Sequence, residues 1–222
     1  MSDRLRELSK QDLLPKAHKD YLRAMKDIAD IEPKVIYDIG ASVLHWTHAA
    51  QEVWPDAKYV VFEALGECDF LYEEEGLAHY IAVLSSPEPE NHEVFFMWNG
   101  DHPGGSSYYK ENQIYNGRPD LYKAQIMPTV TLDWVVKTYN IALPDLIKMD
   151  IQGAELDVLK GATETLKSCE HLILELQKVE YNIGAPLEDE VIDYCESIGF
   201  ILVTPEFSDN GPDHDSHFAR IA

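Results

Sequence analysis

Cysteine is scarce in this chain. Cys68, Cys169 and Cys195 are the only three thiols in 222 residues, and none forms a CxxC pair. An odd, scattered set builds neither a disulfide framework nor a zinc site, so they read as reduced, buried thiols. Long apolar runs are absent too. No stretch approaches the ~20 residues of a membrane-spanning helix, and the opening residues are charged, without the apolar core of a secretory signal. A cytoplasmic protein is expected. Basic residues are also few, 18 against 40 acidic, for a formal net charge of −22. Nucleic acids and anionic membranes are gripped through Lys and Arg, so this balance argues against both as partners and favours a neutral or cationic ligand.

What is present reads as one α/β domain with a small appendage. Residues 1–32 show two helical stretches separated by Pro15 and carry no recognisable chemistry. From residue 33 to 222 strands and helices alternate. Residues 35–37 are a strand that ends at Asp38, Gly40 turns the chain, and a helix runs to about residue 53. Strand 58–63, a short helix over 67–75 and strand 79–85 complete a βαβαβ unit, the signature of a parallel sheet covered on both faces. The rhythm then lapses. Residues 94–98 suggest an extra antiparallel strand, and residues 99–127, rich in glycine and tyrosine, read as a long ligand-facing loop. A helix opens near residue 130. Strands at 146–150, 171–176, 200–204 and 217–221, with a helix over 187–197, close the domain.

Two features select the ligand. Glu63 ends the second strand, 23 positions after Gly40, where a carboxylate commonly meets ribose hydroxyls. That suits NAD, FAD and S-adenosylmethionine alike. The first turn, Asp38-Ile39-Gly40-Ala41-Ser42, separates them. It has one glycine where a dinucleotide site has GxGxxG, and a carboxylate that would repel a pyrophosphate but tolerate an ammonium or sulfonium group. The physical reading therefore favours S-adenosylmethionine.

The run from Ile147 to Ala162, IKMDIQGAELDVLKGA, resembles the K-x-D-V-E-G-A-E-x-x-V-L-x-G-A signature of the FkbM family of S-adenosylmethionine-dependent methyltransferases. VIYDIGA at 35–41, VFEA at 61–64, GSS at 105–107, VTLD at 130–133 and ILE at 173–175 support it. The resemblance implies a Rossmann-like class I methyltransferase fold: α/β, with a seven-stranded, mostly parallel sheet, helices on both faces and an antiparallel last strand. It also implies O-methylation of a hydroxyl, often in a glycan or a secondary metabolite. The chain departs from the family in three places. The family usually has Gly where Leu44 stands, often Asn where Ser42 stands, and Glu where Gln152 stands. A non-catalytic cofactor- or partner-binding protein on the same fold is the alternative that Gln152 keeps open.

On this reading Asp38, Gly40, Ala41 and Ser42 hold the methionine end of the cofactor, Glu63 its ribose, and Ser85 approaches the adenine. Asp150, at the carboxyl edge of a central strand, is the first candidate for the base, followed by Glu175 and His102. Ser106, Ser107 and Tyr108 line the pocket of a small-molecule or saccharide acceptor. A divalent metal is compatible with this chemistry but not indicated. His214 and His217 are not expected to share an ion, because side chains three apart on a strand face opposite ways.

Overall fold

The computed structural model describes residues 2–87, 92–99, 103–112 and 122–221. Two helices come first, α1 (Ser2–Ser9) and α2 (Lys16–Asp27). The βα units follow: β1 (Val35–Ile39), α3 (His45–Val53), β2 (Lys58–Glu63), α4 (Asp69–Glu75) and β3 (Ala78–Ile81). Three strands, β4 (Val83–Leu84), β5 (Glu93–Asn99) and β6 (Tyr122–Val130), lead to α5 (Leu132–Tyr139). The chain ends with β7 (Leu146–Met149), α6 (Glu155–Lys160), β8 (His171–Gln177), α7 (Glu188–Ser197) and the hairpin β9 (Phe200–Asp209) and β10 (Asp213–Arg220).

The main sheet has the order β3-β2-β1-β7-β8-β10-β9. β1 pairs in parallel with both β2 and β7, and β10 runs antiparallel between β8 and β9. This is the seven-stranded, mostly parallel sheet with an antiparallel last strand that the resemblance implied. Strand order reverses between β1 and β7, and the crevice at such a switch point is where α/β sheets bind ligands. Buried Val, Ile and Leu make β1, β2, β7 and β8 nearly continuous apolar runs, as strands covered on both faces require. One face packs against α5, α6 and α7 through Leu132, Val135, Leu156, Leu159 and Val191. The other packs against α2 and α3 through Leu22, Met25, Trp46 and Trp54. Helix α1 adds Leu5 to a third cluster with Leu71 and Tyr72 of α4. Among the described residues no helix is long and apolar enough to cross a membrane.

Three readings of the sequence need correction. The single strand expected over 79–85 is two: β3 stays on β2, while β4 leaves the main sheet and pairs with β6. The end of the expected loop is strand β6, antiparallel to β5. Ala124, Gln125, Ile126 and Pro128 on β6 are all exposed, so no period-two alternation marks it. The hairpin is longer than expected, and Asp213 to Ser216 lie inside β10, buried and polar. They face polar partners: Asp213 stands opposite Gln177 and Asp215 opposite Glu175.

The turn after β1 shows why glycine is needed at one point. Gly40 has φ +81°, and a Cβ there would lie 2.0 Å from the Asp150 carbonyl oxygen. Gly76, the C-cap of α4, has φ +66° but open space around it. Both would strain a side chain in the left-handed region, which costs roughly 1–2 kcal/mol. Only Gly40 adds a collision with backbone. Gly40→Ala is therefore expected to lower stability by about 3 kcal/mol or more, and Gly76→Ala by about 1–2 kcal/mol. Urea denaturation of the two variants checks the difference, and equal losses would contradict the packing argument.

Candidate active site

The carboxyl ends of β1, β2 and β4 enclose a cleft. Ile39, Phe62, Ala64, Val83 and Leu84 supply its apolar wall, and Gly40, Ser42, Glu63 and Asp150 its polar groups. The backbone of the first turn is fully committed. The N–H groups of Gly40 and Ala41 both donate to the Phe62 carbonyl, at 2.9 and 3.2 Å. The Ser42 N–H donates to Glu63 Oε2 at 2.8 Å, and Glu63 Oε1 accepts from Ala64 and Leu65, each at 2.9 Å. Burial raises the Glu63 pKa, against the opposing pull of these three amides. The N–H groups of Gly40, Ala41 and Ser42 are thus spent and do not cradle a phosphate, whereas one carboxylate oxygen of Glu63 retains capacity for a hydroxyl donor.

Residues 103–108 arch over this cleft. Ser107 exchanges backbone hydrogen bonds with Met97 at 2.8 and 2.9 Å, and its hydroxyl donates to the Gln152 carbonyl at 3.0 Å. The Tyr108 and Tyr109 hydroxyls both donate to Asp157 Oδ2, at 2.9 and 2.8 Å. Beneath the arch the cleft holds about 50 Å³, far less than the ~300 Å³ or more of a typical small-molecule pocket.

A buried charge clamp sits behind the turn. Lys148 on β7 is 4% exposed. Its ammonium lies 3.3 Å from Asp38 Oδ1, 3.5 Å from Asp150 Oδ2 and 3.5 Å from the Gly40 carbonyl. Burial pulls the Lys148 pKa down, but Asp38 and Asp150 outweigh it and the net shift is upward. Asp38 is fully buried and also accepts from Thr47 Oγ1 at 2.5 Å. Asp150 keeps about a third of its side chain exposed. Burial raises its pKa, but Lys148, Gln152 and a hydrogen bond with Glu175 lower it further, so Asp150 is held ionised. Glu175 shifts strongly upward, first through burial and then through Asp150, Asp213 and Asp215.

Gln152 bridges these two groups. Its amide donates to Asp150 Oδ1 at 3.0 Å and to Glu175 Oε2 at 2.7 Å. A glutamate there would offer lone pairs to both carboxyl groups and no donor. The backbone sits in the left-handed region at Gln152 (φ +57°), Ser42 (φ +45°) and Leu44 (φ +71°), the three positions where this chain departs from the family pattern. The usual Gly at 44 and frequent Asn at 42 suit that conformation with less strain. Leu44 instead buries its side chain, 1% exposed, beside Val43 and Leu71.

The structure brings together only some of the candidate residues. Gly40, Ser42, Glu63 and Asp150 share the cleft, and so do Ser106, Ser107 and Tyr108, expected on the acceptor side. Ala41 lines a neighbouring chamber. Asp38 lies behind the turn in its ion pair. Ser85 is buried past the cleft wall, with its hydroxyl 3.3 Å from that of Tyr108. Glu175 reaches the site through Gln152. His102 lies outside the described residues. Lys148 was quoted in the signature but given no role, although a lysine two residues before a strand-end Asp, on the same face of β7, was the signal that could have found it. Glu155 of the signature is structural: 3% exposed, it accepts the Ile151 N–H at 2.9 Å across the turn into α6. His214 and His217 diverge, His214 Nε2 meeting Glu188 at 2.7 Å and His217 meeting Tyr21 and His171. Glu188, Glu206 and His214 place one ligand atom each within 4.8 Å of one another, but none lines the cleft.

A family model for the methyltransferase FkbM domain matches residues 35–202. The hexuronic acid methyltransferase AglP of Haloferax volcanii is 38% identical over 48 residues, which is 22% of this chain and 20% of that relative. The chain thus matches about a fifth of the length of this curated relative. Two crystal structures share the fold. The FkbM methyltransferase of Methylobacillus flagellatus superposes with a TM-score of 0.50 at 13% identity, over 97% of this chain and 57% of that one. The O-methyltransferase TomG of Streptomyces achromogenes, in complex with S-adenosylmethionine, also gives 0.50, at 9% identity, over 98% and 85%.

Two outcomes follow from the carboxyl groups. Burial pushes Glu155 up to about 8 from an ordinary 4.5. Between those values the folded chain holds a proton that the unfolded chain has lost, so the contribution to stability is complete below pH 4.5 and fades as pH rises through 8. Glu155→Gln is expected to flatten the decline in stability between pH 5 and pH 8, measured by denaturant titration at each pH; an unchanged slope would contradict the assignment. Gln152→Glu forces a third carboxyl between two others, and one of them must take a proton in the folded state. The variant should lose roughly 1–3 kcal/mol relative to the parent at pH 8 and less at pH 5. A loss independent of pH would point to shape and not charge.

Proposed function

The chain belongs to the FkbM methyltransferase domain family, and on that premise we propose that it is an S-adenosylmethionine-dependent O-methyltransferase acting on a hydroxyl group of a saccharide. The observation that carries this reading is the position and charge of Asp150. It lines the cleft and two adjoining chambers, and it is ionised and partly open to ligand.

The cleft suits the donor chemically. The amides of Gly40, Ala41 and Ser42 are spent internally, which disfavours a pyrophosphate, while Glu63 offers a carboxylate oxygen to ribose hydroxyls and the apolar wall suits an adenine. Gly40 and Ser42 line the cleft at its carboxyl edge, where the methionine end would be held. The arch at 103–108 must lift to admit a ligand of this size. S-adenosylmethionine, when bound, supplies an electrophilic methyl group. The chain's part is to hold and deprotonate the acceptor. The acceptor hydroxyl donates to the Asp150 carboxylate, which orients the oxygen and takes its proton as it becomes a nucleophile. Lys148 keeps Asp150 charged, and Gln152 fixes its rotation. The name of the relative AglP supports a sugar as the methylated group.

Asp150→Asn is expected to lower kcat by about 10²–10⁴-fold on a true acceptor, the range for general acid–base catalysis, while S-adenosylhomocysteine affinity in calorimetry changes far less. Turnover within a few-fold of the parent would move the assignment to Glu175. Glu63→Ala should weaken S-adenosylhomocysteine by roughly 1–3 kcal/mol, and unchanged affinity would remove Glu63 from the site.

A further inference from the structure

Beyond Asp150 the molecule is hollow in a second place. Two adjoining chambers of about 260 and 240 Å³ share Leu14, Pro15, Trp46, Lys148 and Asp150 as walls. Their roof is the link between α1 and α2, and their floor is the carboxyl ends of β7 and β8 with the amino end of β10. The inner chamber, reached past Leu14 and Pro15, is lined by Gln152, Glu175, Asn210 and Asp215. Asp215 is held by a relay: the Trp46 indole N–H donates to His18 Nε2 at 2.7 Å, and His18 Nδ1 donates to Asp215 Oδ2 at 3.2 Å.

We propose that this chamber is the acceptor site, that the N-terminal helices form its specificity wall, and that it admits uncharged or amine-bearing polyhydroxylated acceptors while excluding carboxylate-bearing ones. The inference rests on the methyltransferase reading above and sets this chain apart from AglP, whose name gives it a carboxylate-bearing sugar. Three arguments carry it. First, Asp150 and Gly104 line both the donor cleft and the chamber, so the two spaces meet at the proposed base. Second, the walls are rich in oxygen acceptors from Asp150, Glu175, Asp215 and Asn210, which match a ring of hydroxyl or ammonium donors, and Trp46 supplies an apolar surface. Third, a ligand carboxylate has no counter-ion there. Among the described residues, the one Lys or Arg lining the chamber is Lys148, buried and already held by Asp38 and Asp150. His18 donates to Asp215. A carboxylate would meet Asp150 and Asp215 with Lys148 and His18 already committed to them, the like-charge juxtaposition that suppresses wrong ligands.

The test uses the intact chain saturated with S-adenosylhomocysteine and three matched aryl glycosides, of glucose, glucosamine and glucuronic acid. Binding is measured by titration calorimetry. The glucoside and the glucosaminide are expected to bind at least about tenfold more tightly than the glucuronide, and Asp215→Asn to narrow that gap. Leu14→Trp, which fills the chamber beneath the link, should weaken all three glycosides and leave S-adenosylhomocysteine affinity unchanged. Glucuronide binding at parity overturns the inference, and so does a Leu14→Trp effect on the nucleoside instead of the sugars. Methyl transfer from S-adenosylmethionine, scored separately, keeps the two readings apart. A glucuronide methylated as well as the glucoside refutes the exclusion and leaves the methyltransferase standing. Failure of all three glycosides to bind, with the nucleoside still bound, refutes the saccharide reading and this inference with it.

Discussion

The ion pair between Lys148 and the two aspartates at the ends of β1 and β7 is the constraint on which the site depends. A buried ammonium is costly unless its partners satisfy it, and removing one partner from such a set is more damaging than never having had it. Here the partners span the sheet's switch point: Asp38 ends one strand, and Asp150 follows the next. The pair therefore ties together the two strands that part to form the crevice. It also sets the charge of Asp150, which would otherwise be pushed by burial toward its neutral form. The same contact serves the fold and conditions the chemistry.

Gln152 follows from that arrangement. Three carboxyl groups, Asp150, Glu175 and Asp215, already crowd the edge where β7, β8 and β10 meet. An amide with two donors joins Asp150 to Glu175 without adding charge. Where the family carries Glu, this chain has replaced a fourth proton equilibrium with a fixed hydrogen-bonding bridge. Its departure from the signature is thus compatible with an intact site, because the group assigned to take the proton is Asp150.

Much of this was legible in the sequence, for identifiable reasons. Strand 58–63 and the strand, turn and helix at 146–160 are fully buried or tightly patterned, so their apolar runs, glycines and strand-end carboxylates announce them. Strand β6 gave no such signal, since most of its side chains are exposed. Residues 213–216 fall outside the strand expected at 217–221 for the opposite reason: Asp-His-Asp-Ser carries no apolar signal, yet the segment is buried because Gln177, Glu175 and His18 meet it. Asp38 was taken as a group facing the ligand because a strand-end carboxylate commonly is one. Its neutralising partner lay 110 positions away, and no local pattern reveals a pairing made by sheet order. Ser85 sits behind Tyr108 and not in the cleft wall, because the strand before it leaves the main sheet at Ala82.

The first turn has one more consequence. The amides of Gly40, Ala41 and Ser42 are already bonded, and Ser42 and Leu44 occupy the left-handed region, a costly conformation for a side chain that the surrounding packing holds in place. A glycine at either place would let the unfolded chain and the empty cleft sample far more shapes. Here the floor of the cleft is ordered at folding, once, and a ligand arriving later has no backbone there to freeze. The entropic cost of binding is then confined to the arch above. The rigidity of two awkward residues is what makes the cleft a preformed mould.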